Sequence, residues 1–189
     1  MHELDKLRIA YLLKYVDRAC QRKQRKESTA EHVYSMFILA EYFLKKVKKL
    51  NKDKVHKLIL YHDLVEVYSG DTNIFDKKKR KTKDKREDKA YKKLCKVLPK
   101  TIKTDFKKAW IEYTGQKSKE ARFCKAIDVL DPPIQIMQYP FQWSDFKLTE
   151  KQFIEIKRPY LEEFKPMLKF FNEMVKELRK RKLFYKGKS

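Results

Sequence analysis

The segment LILYHDLVEVYSGD, residues 58–71, constrains the fold of this chain more than any other stretch. Most of it is apolar enough for a protein interior, yet it carries His62, Asp63, Glu66 and Asp71. Burying several carboxylates among apolar side chains is costly unless opposite charge compensates them. The rest of the fold must therefore bring compensating groups to this segment, and a divalent cation is the strongest compensator available.

The composition favours a helical domain. The chain has 189 residues, enough for one ordinary domain, and only 3 glycines and 6 prolines to make turns. Strand-like alternation is nowhere sustained. We therefore predict a single, nearly all-α domain, a helical bundle over residues 1–182, followed by a basic tail at 183–189.

Apolar side chains at helical spacing predict where the helices lie. The first is expected over residues 3–19, and the second runs from a capping box at Ser28–Glu31 to about Leu50. Further helices are expected at about 54–68, 86–98, 101–113, 119–131, 150–157 and 160–182. Residues 20–27 and 71–85 lack this periodicity and are predicted as loops. Asp131 precedes two prolines, which predicts a helix end because the residue before proline avoids the helical conformation.

The net charge of +22 predicts attraction for anions. Nucleotides, nucleic acid and acidic membrane surfaces all satisfy that attraction, so charge alone selects none of them. Cys20, Cys95 and Cys124 form no CxxC pair and leave one cysteine over, which fits a reducing cytoplasm. The N-terminal residues do not resemble a secretory signal, and no apolar run approaches the roughly 20 residues of a membrane span. We expect a cytoplasmic protein without a membrane partner.

Two further residues are candidates to complete a metal site around His62 and Asp63, because one helix cannot close such a site alone. His32 lies in the first turn of the second predicted helix, in STAEHVYSM. Asp128 lies in a mostly apolar helical run, FCKAIDVL. Taken alone, each is more commonly a packed histidine or a surface charge. Asp131, before the prolines, is interpreted as a structural residue at a helix end.

Four segments together resemble a known family. ESTAEH (27–32) looks like its E-S-x-A-E-H segment, and HDLVEVYSGD (62–71) matches its pattern H-D-x-x-E-x-x-x-G-D. SKEARFCKAIDVLDPPIQIMQY (118–139) and LKYVDRA (13–19) are similar to two further segments. The family is that of the HD-domain metal-dependent phosphohydrolases, in particular the 5′-deoxynucleotidase group. The resemblance implies an HD-domain helical bundle with its motif-bearing core at about residues 4–140 and C-terminal helices at 150–182.

The resemblance also implies roles for individual residues. The metal ligands would be His32, His62, Asp63 and Asp128. Glu66 and Asp71 match catalytic acidic positions, and Arg18 matches a phosphate-binding arginine. Two imidazoles and two carboxylates suit one divalent ion of cobalt, manganese or zinc, and magnesium less well. Ala19 and Cys20 follow Arg18 where the family usually has an aromatic residue.

The function that follows is hydrolysis of nucleoside or deoxynucleoside 5′-monophosphates to nucleoside and phosphate. Glu66 would position or deprotonate the attacking water. Asp71 would either protonate the leaving oxygen or hold the sugar, and the sequence does not separate these roles. The nucleotide is the expected partner, and the resemblance implies a homodimer.

Two other functions remain open. One is an HD phosphohydrolase acting on oligonucleotides or cyclic nucleotides. The other is a basic nucleic-acid-binding protein with a structural metal, in which Lys77–Lys85 or the basic tail would contact phosphates. Glu66 and Asp71 count against the second, because a structural metal needs no additional acids beside it. Weak, non-specific nucleic-acid binding is compatible with all of these functions.

Overall fold

Helices dominate the computed structural model, which describes residues 2–21, 24–74, 76–139 and 141–186. The helices are α1 (Glu3–Tyr11), α2 (Thr29–Leu44), α3 (Lys52–Tyr61), α4 (Glu66–Ser69), α5 (Lys77–Arg80), α6 (Lys83–Val97), α7 (Lys100–Gly115), α8 (Lys119–Met137), α9 (Phe141–Phe146), α10 (Glu150–Lys157) and α11 (Lys165–Lys180). Short 3-10 helices cover Leu12–Tyr15 and Arg158–Tyr160. Strands β1 (Asp17–Gln21) and β2 (Lys26–Ser28) form an antiparallel hairpin. The predicted nearly all-α fold is confirmed.

The frame of the molecule is formed by α2, α3 and α8, which pack against one another. Their buried faces meet in a large core that α10 and α11 cover; its fully buried members include Met36, Phe43, Ile59, Phe123, Ile127, Phe153 and Phe171. Burying each such side chain contributes about 1.5–3 kcal/mol relative to leaving it exposed. A smaller cluster around Leu94 and Phe106 joins α6 and α7. No helix among the described residues is both long and apolar enough to cross a membrane.

The first predicted helix is too long, and the loop predicted after it contains the hairpin. The chain leaves the helical conformation at Val16, which is extended, and the carbonyl of Val16 accepts a hydrogen bond from the Thr29 amide at 2.8 Å. This bond ties the end of the N-terminal segment to the start of α2. Arg18 consequently lies on β1 rather than on a helix. Residues 22 and 23 of the predicted loop lie outside the described residues.

The predicted helix end at Asp131 is wrong, because α8 continues through Pro132 and Pro133 to Met137. A proline inside a helix lacks the N–H that would bond the carbonyl four residues earlier. For Pro133 that carbonyl belongs to Val129, and the ammonium of Lys157 donates to it at 2.8 Å. A distant side chain therefore replaces the missing backbone donor, which the local sequence does not reveal.

Two other boundaries differ from the prediction. The helix expected over 54–68 is interrupted, since α3 ends at Tyr61 and α4 begins at Glu66. The loop expected over 71–85 contains α5 and the first turn of α6. The basic tail predicted from residue 183 includes Phe184, whose ring packs on Trp143 and Phe153. Residues 187–189 of this tail lie outside the described part of the chain.

Candidate metal centre

Three separate parts of the chain bring the four predicted ligands together. His32 comes from the first turn of α2, His62 and Asp63 from the turn after α3, and Asp128 from α8. His32 Nε2 lies 3.2 Å from Asp128 Oδ1 and 3.8 Å from Asp63 Oδ2. His62 Nε2 lies 3.0 Å from the same Asp63 oxygen. The ligand atoms of His32, His62 and Asp63 lie within 4.8 Å of one another, close enough to share one cation.

Local sequence fixes where His32 sits. The Ser28 side chain accepts from the Glu31 amide at 3.3 Å, and the Glu31 carboxylate accepts from the Ser28 amide at 2.9 Å. This is the predicted capping box, and it starts α2 at Thr29. Because His32 falls in the first turn of α2, it points into the interior and is fully buried.

Both histidines present an unused ring nitrogen. His32 Nδ1 lies 2.6 Å from Asp131 Oδ2, and His62 Nδ1 lies 2.8 Å from the carbonyl of Ile59. Because both partners are acceptors, Nδ1 carries a proton in each ring, and Nε2 is the nitrogen that remains to bind a ligand. Among the described residues, neither buried Nε2 atom has a hydrogen-bond partner. Buried polar atoms without partners are costly, and a bound cation would satisfy both.

The two aspartates are held in the ionised form that a cation requires. Burial raises the pKa of Asp63, but the charges of His62 and His32 outweigh burial and lower it overall. Burial likewise opposes ionisation of Asp128, whose pKa is nevertheless well below its usual value because of Lys125 and the two histidines. Burial and Arg18 lower the pKa of His32, whereas the carboxylates of Asp128 and Asp131 raise it to about 10. A cation that binds at Nε2 would therefore replace a proton there.

Arg18 reaches this centre from β1 and not from the predicted helix. Its guanidinium lies 3.4 Å from Asp63 Oδ2 and 4.0 Å from Asp71 Oδ1. Its Nε lies 3.4 Å from a buried oxygen of Glu27. Burial lowers the pKa of Arg18, but Asp63 and Asp71 raise it further, so this side chain is always a cation.

Glu66 is buried beside the four candidate ligands. Its Oε2 accepts a hydrogen bond from the Thr29 hydroxyl at 2.8 Å. Burial, with Asp63 and Asp71 nearby, raises the pKa of Glu66 well above its usual value. A carboxylate of this kind holds a proton more readily than a free glutamate does, which suits a group that accepts one from water.

The loop that carries Asp71 is held by a residue that the sequence analysis missed. Gly70 follows α4 with φ of 67°, a conformation that side-chain-bearing residues rarely adopt. Arg86 on α6 donates to the Ser69 carbonyl at 2.5 Å and to the Thr72 hydroxyl at 2.6 Å, on either side of Asp71. No spacing rule links residue 86 to this loop, because the contact depends on how α6 packs.

Three further residues at the site were also missed. Asp131, interpreted from the sequence as a structural residue at a helix end, lies inside α8, is buried and bonds His32. Its spacing of three residues from Asp128 on one helix is a signal that could have identified it. The hydroxyl of Tyr113 donates to Asp128 Oδ2 at 2.9 Å, and the Lys125 ammonium donates to the same oxygen at 2.7 Å.

The centre opens onto a cavity of about 1060 Å³. Its lining includes charged and polar side chains, namely Arg18, His62, Asp63, Glu66, Asp71 and Asp128. The lining also includes apolar side chains, among them Ile136, Trp143 and Phe153. A cavity lined by both kinds of side chain suits a ligand that has a charged group and an apolar ring.

This chain is similar to known proteins in sequence and in fold. A family model described as HD domain matches residues 10–169. A Bos taurus protein named 5'-deoxynucleotidase HDDC2 is 35% identical over 136 residues, which are 70% of this chain and 65% of that protein. Its Homo sapiens counterpart is 34% identical over 70% of this chain and 66% of its own length. The chain thus spans slightly less than two thirds of these relatives.

Solved structures share the fold. A predicted metal-dependent phosphohydrolase from Magnetospirillum magnetotacticum MS-1 has a TM-score of 0.84 at 24% identity, with 96% of each chain covered. A conserved hypothetical protein from Pyrococcus furiosus has a TM-score of 0.62 at 25% identity, with 94% of this chain and 99% of that chain covered. Because the family model covers most of its length, this chain belongs to the HD-domain family.

Proposed function

We propose that this chain is a metal-dependent phosphohydrolase that converts nucleoside 5′-monophosphates, including deoxynucleotides, to nucleosides and phosphate. The observation that carries the proposal is the pair of buried Nε2 atoms, which have no hydrogen-bond partner among the described residues and face two ionised aspartates. The name of the mammalian relatives, 5'-deoxynucleotidase, supports this substrate class.

His32, His62, Asp63 and Asp128 would hold one divalent cation. Two imidazoles with two carboxylates suit cobalt, manganese or zinc, whereas magnesium prefers oxygen ligands alone. When bound, such a cation acidifies a water and stabilises negative charge on a phosphoryl group. The Nδ1 bonds of both histidines to acceptors favour metal binding, because they orient each ring and leave Nε2 as the ligand atom.

Arg18 binds the substrate phosphate. Its guanidinium has several donors in one plane, and that fork matches the spacing of phosphoryl oxygens. Asp63 and Asp71 hold the guanidinium at the cavity wall. Because the nearby carboxylates would repel a phosphate, a permanent cation at this position is needed for the anion to approach them.

Glu66 positions the attacking water and takes its proton. The Thr29 hydroxyl fixes Glu66 through Oε2, which leaves Oε1 as the oxygen assigned to the water. Asp71 lies 4.0 Å from Arg18 Nη1 and either protonates the leaving 5′-oxygen or holds the sugar. The apolar side chains of the cavity lining, including Trp143 and Phe153, receive the base.

The test is phosphate release from a panel of ribo- and deoxyribonucleoside monophosphates by chelator-treated protein, with cobalt, manganese, zinc or magnesium added back. Asp63→Ala should lose tightly held metal and phosphate release together. Asp53→Ala, at an exposed position in the first turn of α3, is the matched control and should retain both. Retention of metal and activity by Asp63→Ala would refute the site.

The same panel separates the competing activities. Oligonucleotides and cyclic nucleotides are included as substrates, and a salt-dependent DNA-binding assay runs alongside. Tight DNA binding without phosphate release from any substrate contradicts the proposal and favours a basic nucleic-acid-binding protein. We include a cytoplasmic location and a homodimer in the proposal; light scattering on purified protein tests the dimer.

A further inference from the structure

The two carboxylate oxygens of Asp128 have different neighbours. Oδ1 faces the unused Nε2 of His32 at 3.2 Å. Oδ2 accepts from the Lys125 ammonium at 2.7 Å and from the Tyr113 hydroxyl at 2.9 Å. Two short hydrogen bonds occupy the lone pairs of Oδ2. Oδ1 is therefore the oxygen of Asp128 that is directed toward the proposed metal site.

Lys125 and Tyr113 are each held where they contact Asp128. Lys125 lies one turn before Asp128 on α8, and its ammonium lies 5.8 Å from the ring centre of Tyr113 and 5.9 Å from that of Tyr160. Tyr113 comes from α7, is 9% exposed, and its ring centre lies 5.1 Å from that of His62. The two donors thus come from different helices and meet at a single oxygen.

We propose that Lys125 and Tyr113 are positioning residues that restrict Asp128 to one ligand oxygen, Oδ1. This inference rests on the proposed metal site. A carboxylate free to rotate can bind a cation through both oxygens and so fill a position that water or a phosphoryl oxygen needs. With Oδ2 held by two donors, Asp128 supplies a single ligand atom and leaves that position free.

A purely structural role makes a different prediction. If Lys125 and Tyr113 only satisfied a buried carboxylate, removing either donor would lower stability without changing the environment of a bound metal. The discriminating measurement is the visible spectrum of Co²⁺ bound to the protein, since band position and intensity depend on the number and arrangement of ligands. Thermal unfolding of metal-free protein reports the structural contribution separately.

The variants are Tyr113→Phe, which removes only the hydroxyl, and Lys125→Met, which removes the charge at similar length. Lys125→Arg is the conservative variant that retains a donor. Tyr34→Phe and Lys108→Met, both at exposed positions, are the matched controls. Circular dichroism verifies that each variant is folded before cobalt is titrated to one equivalent.

We expect Tyr113→Phe and Lys125→Met to bind cobalt with an altered visible spectrum and to lose about 10- to 100-fold in kcat, as outer-shell changes typically do. Lys125→Arg should restore most of the wild-type spectrum, and the controls should match wild type. Spectra identical to wild type in both test variants at full cobalt occupancy overturn this inference alone. A wild-type protein that binds no cobalt overturns the proposed metal site, and this inference with it.

Discussion

Two regions of the molecule differ in how they are held together. At the metal centre, titratable side chains from three parts of the chain face one another. In the supporting contacts around it, one basic side chain, Arg86 or Lys157, donates to a backbone carbonyl. His32, His62, Asp63 and Asp128 converge within a few ångströms. Arg86 donates to the Ser69 carbonyl, and Lys157 donates to the Val129 carbonyl. The first arrangement concentrates charge that a ligand must compensate, and the second satisfies backbone groups that local structure leaves without a partner.

The two regions have different roles: the metal centre carries out the proposed reaction, and the contacts of Arg86 and Lys157 hold the surrounding backbone in place. Side chains at the centre contribute little to holding the fold, because buried charges that are not fully paired are costly. The supporting cations perform no chemistry in the proposed reaction, yet they fix the loop of Asp71 and the second half of α8. Changing the centre should therefore abolish metal binding or the reaction, whereas changing the support should cause graded losses.

Among variants that keep the metal, the largest loss is expected for Glu66→Gln, which tests whether the centre contains a base distinct from its ligands. The glutamine keeps an oxygen that can accept from Thr29, but it cannot take a proton from water. We expect kcat to fall about 10²- to 10⁴-fold, as for other general bases, while cobalt affinity stays within about threefold of wild type. Steady-state kinetics and a cobalt titration measure the two quantities. Loss of metal binding in this variant would instead place Glu66 among the ligands.

A smaller loss, of metal affinity, is expected for Asp131→Asn. Asp131 is not a proposed ligand but contacts the proposed ligand His32. The amide keeps the size of the side chain but removes the charge that holds the Nδ1 proton of His32. We expect cobalt affinity to fall about 10- to 100-fold, with kcat at saturating cobalt reduced less. Isothermal titration with cobalt measures the affinity. An unchanged affinity would show that Asp131 does not orient His32.

The sequence predicts the residues of the metal centre better than it predicts the supporting contacts of Arg86 and Lys157. His32 and His62–Asp63 stand out because charged residues in apolar segments need partners, and the capping box at Ser28 sets the position of His32 in α2. The ten-residue motif ending at Asp71 relates further residues to a family. Each of these signals is contained within a short stretch of chain.

The support leaves no such local signal. Pro132 and Pro133 predict a helix end, and only the distant Lys157 explains why α8 continues. Similarly, β1 is visible only through its pairing with β2 and the bond between Val16 and Thr29. Arg86 looks like one more basic residue in a lysine-rich segment. Contacts of this kind depend on how elements pack, and no periodicity or spacing along the chain encodes them.

Arg86→Met tests whether Arg86 affects the reaction only by positioning the loop that carries Asp71. The variant removes the donors to Ser69 and Thr72 that flank Asp71. We expect kcat/KM to fall about tenfold and the free energy of unfolding by about 1–3 kcal/mol, because a buried carbonyl loses its partner. Cobalt affinity should not change. Lys85→Met, at an exposed position one residue earlier, is the control, and equal kinetics in the two variants would exclude a role for Arg86 in holding Asp71.

The last effect, expected for Lys157, concerns stability and not the reaction, and it appears as a pH dependence of the free energy of unfolding. Burial lowers the pKa of Lys157 from 10.5 to about 8, although Asp128 and Cys20 partly oppose the shift. Between those two values the unfolded chain binds the proton more fully than the folded chain, so the contribution of Lys157 to stability rises with pH across this window. Denaturant unfolding of wild type and Lys157→Met at pH 7 to 10.5 should show wild type gaining relative to the variant, by at most about 1.4 kcal/mol per pH unit. Lys108→Met should run parallel to wild type over the same range. A constant difference between wild type and Lys157→Met would mean that the pKa of Lys157 is not lowered in the folded protein.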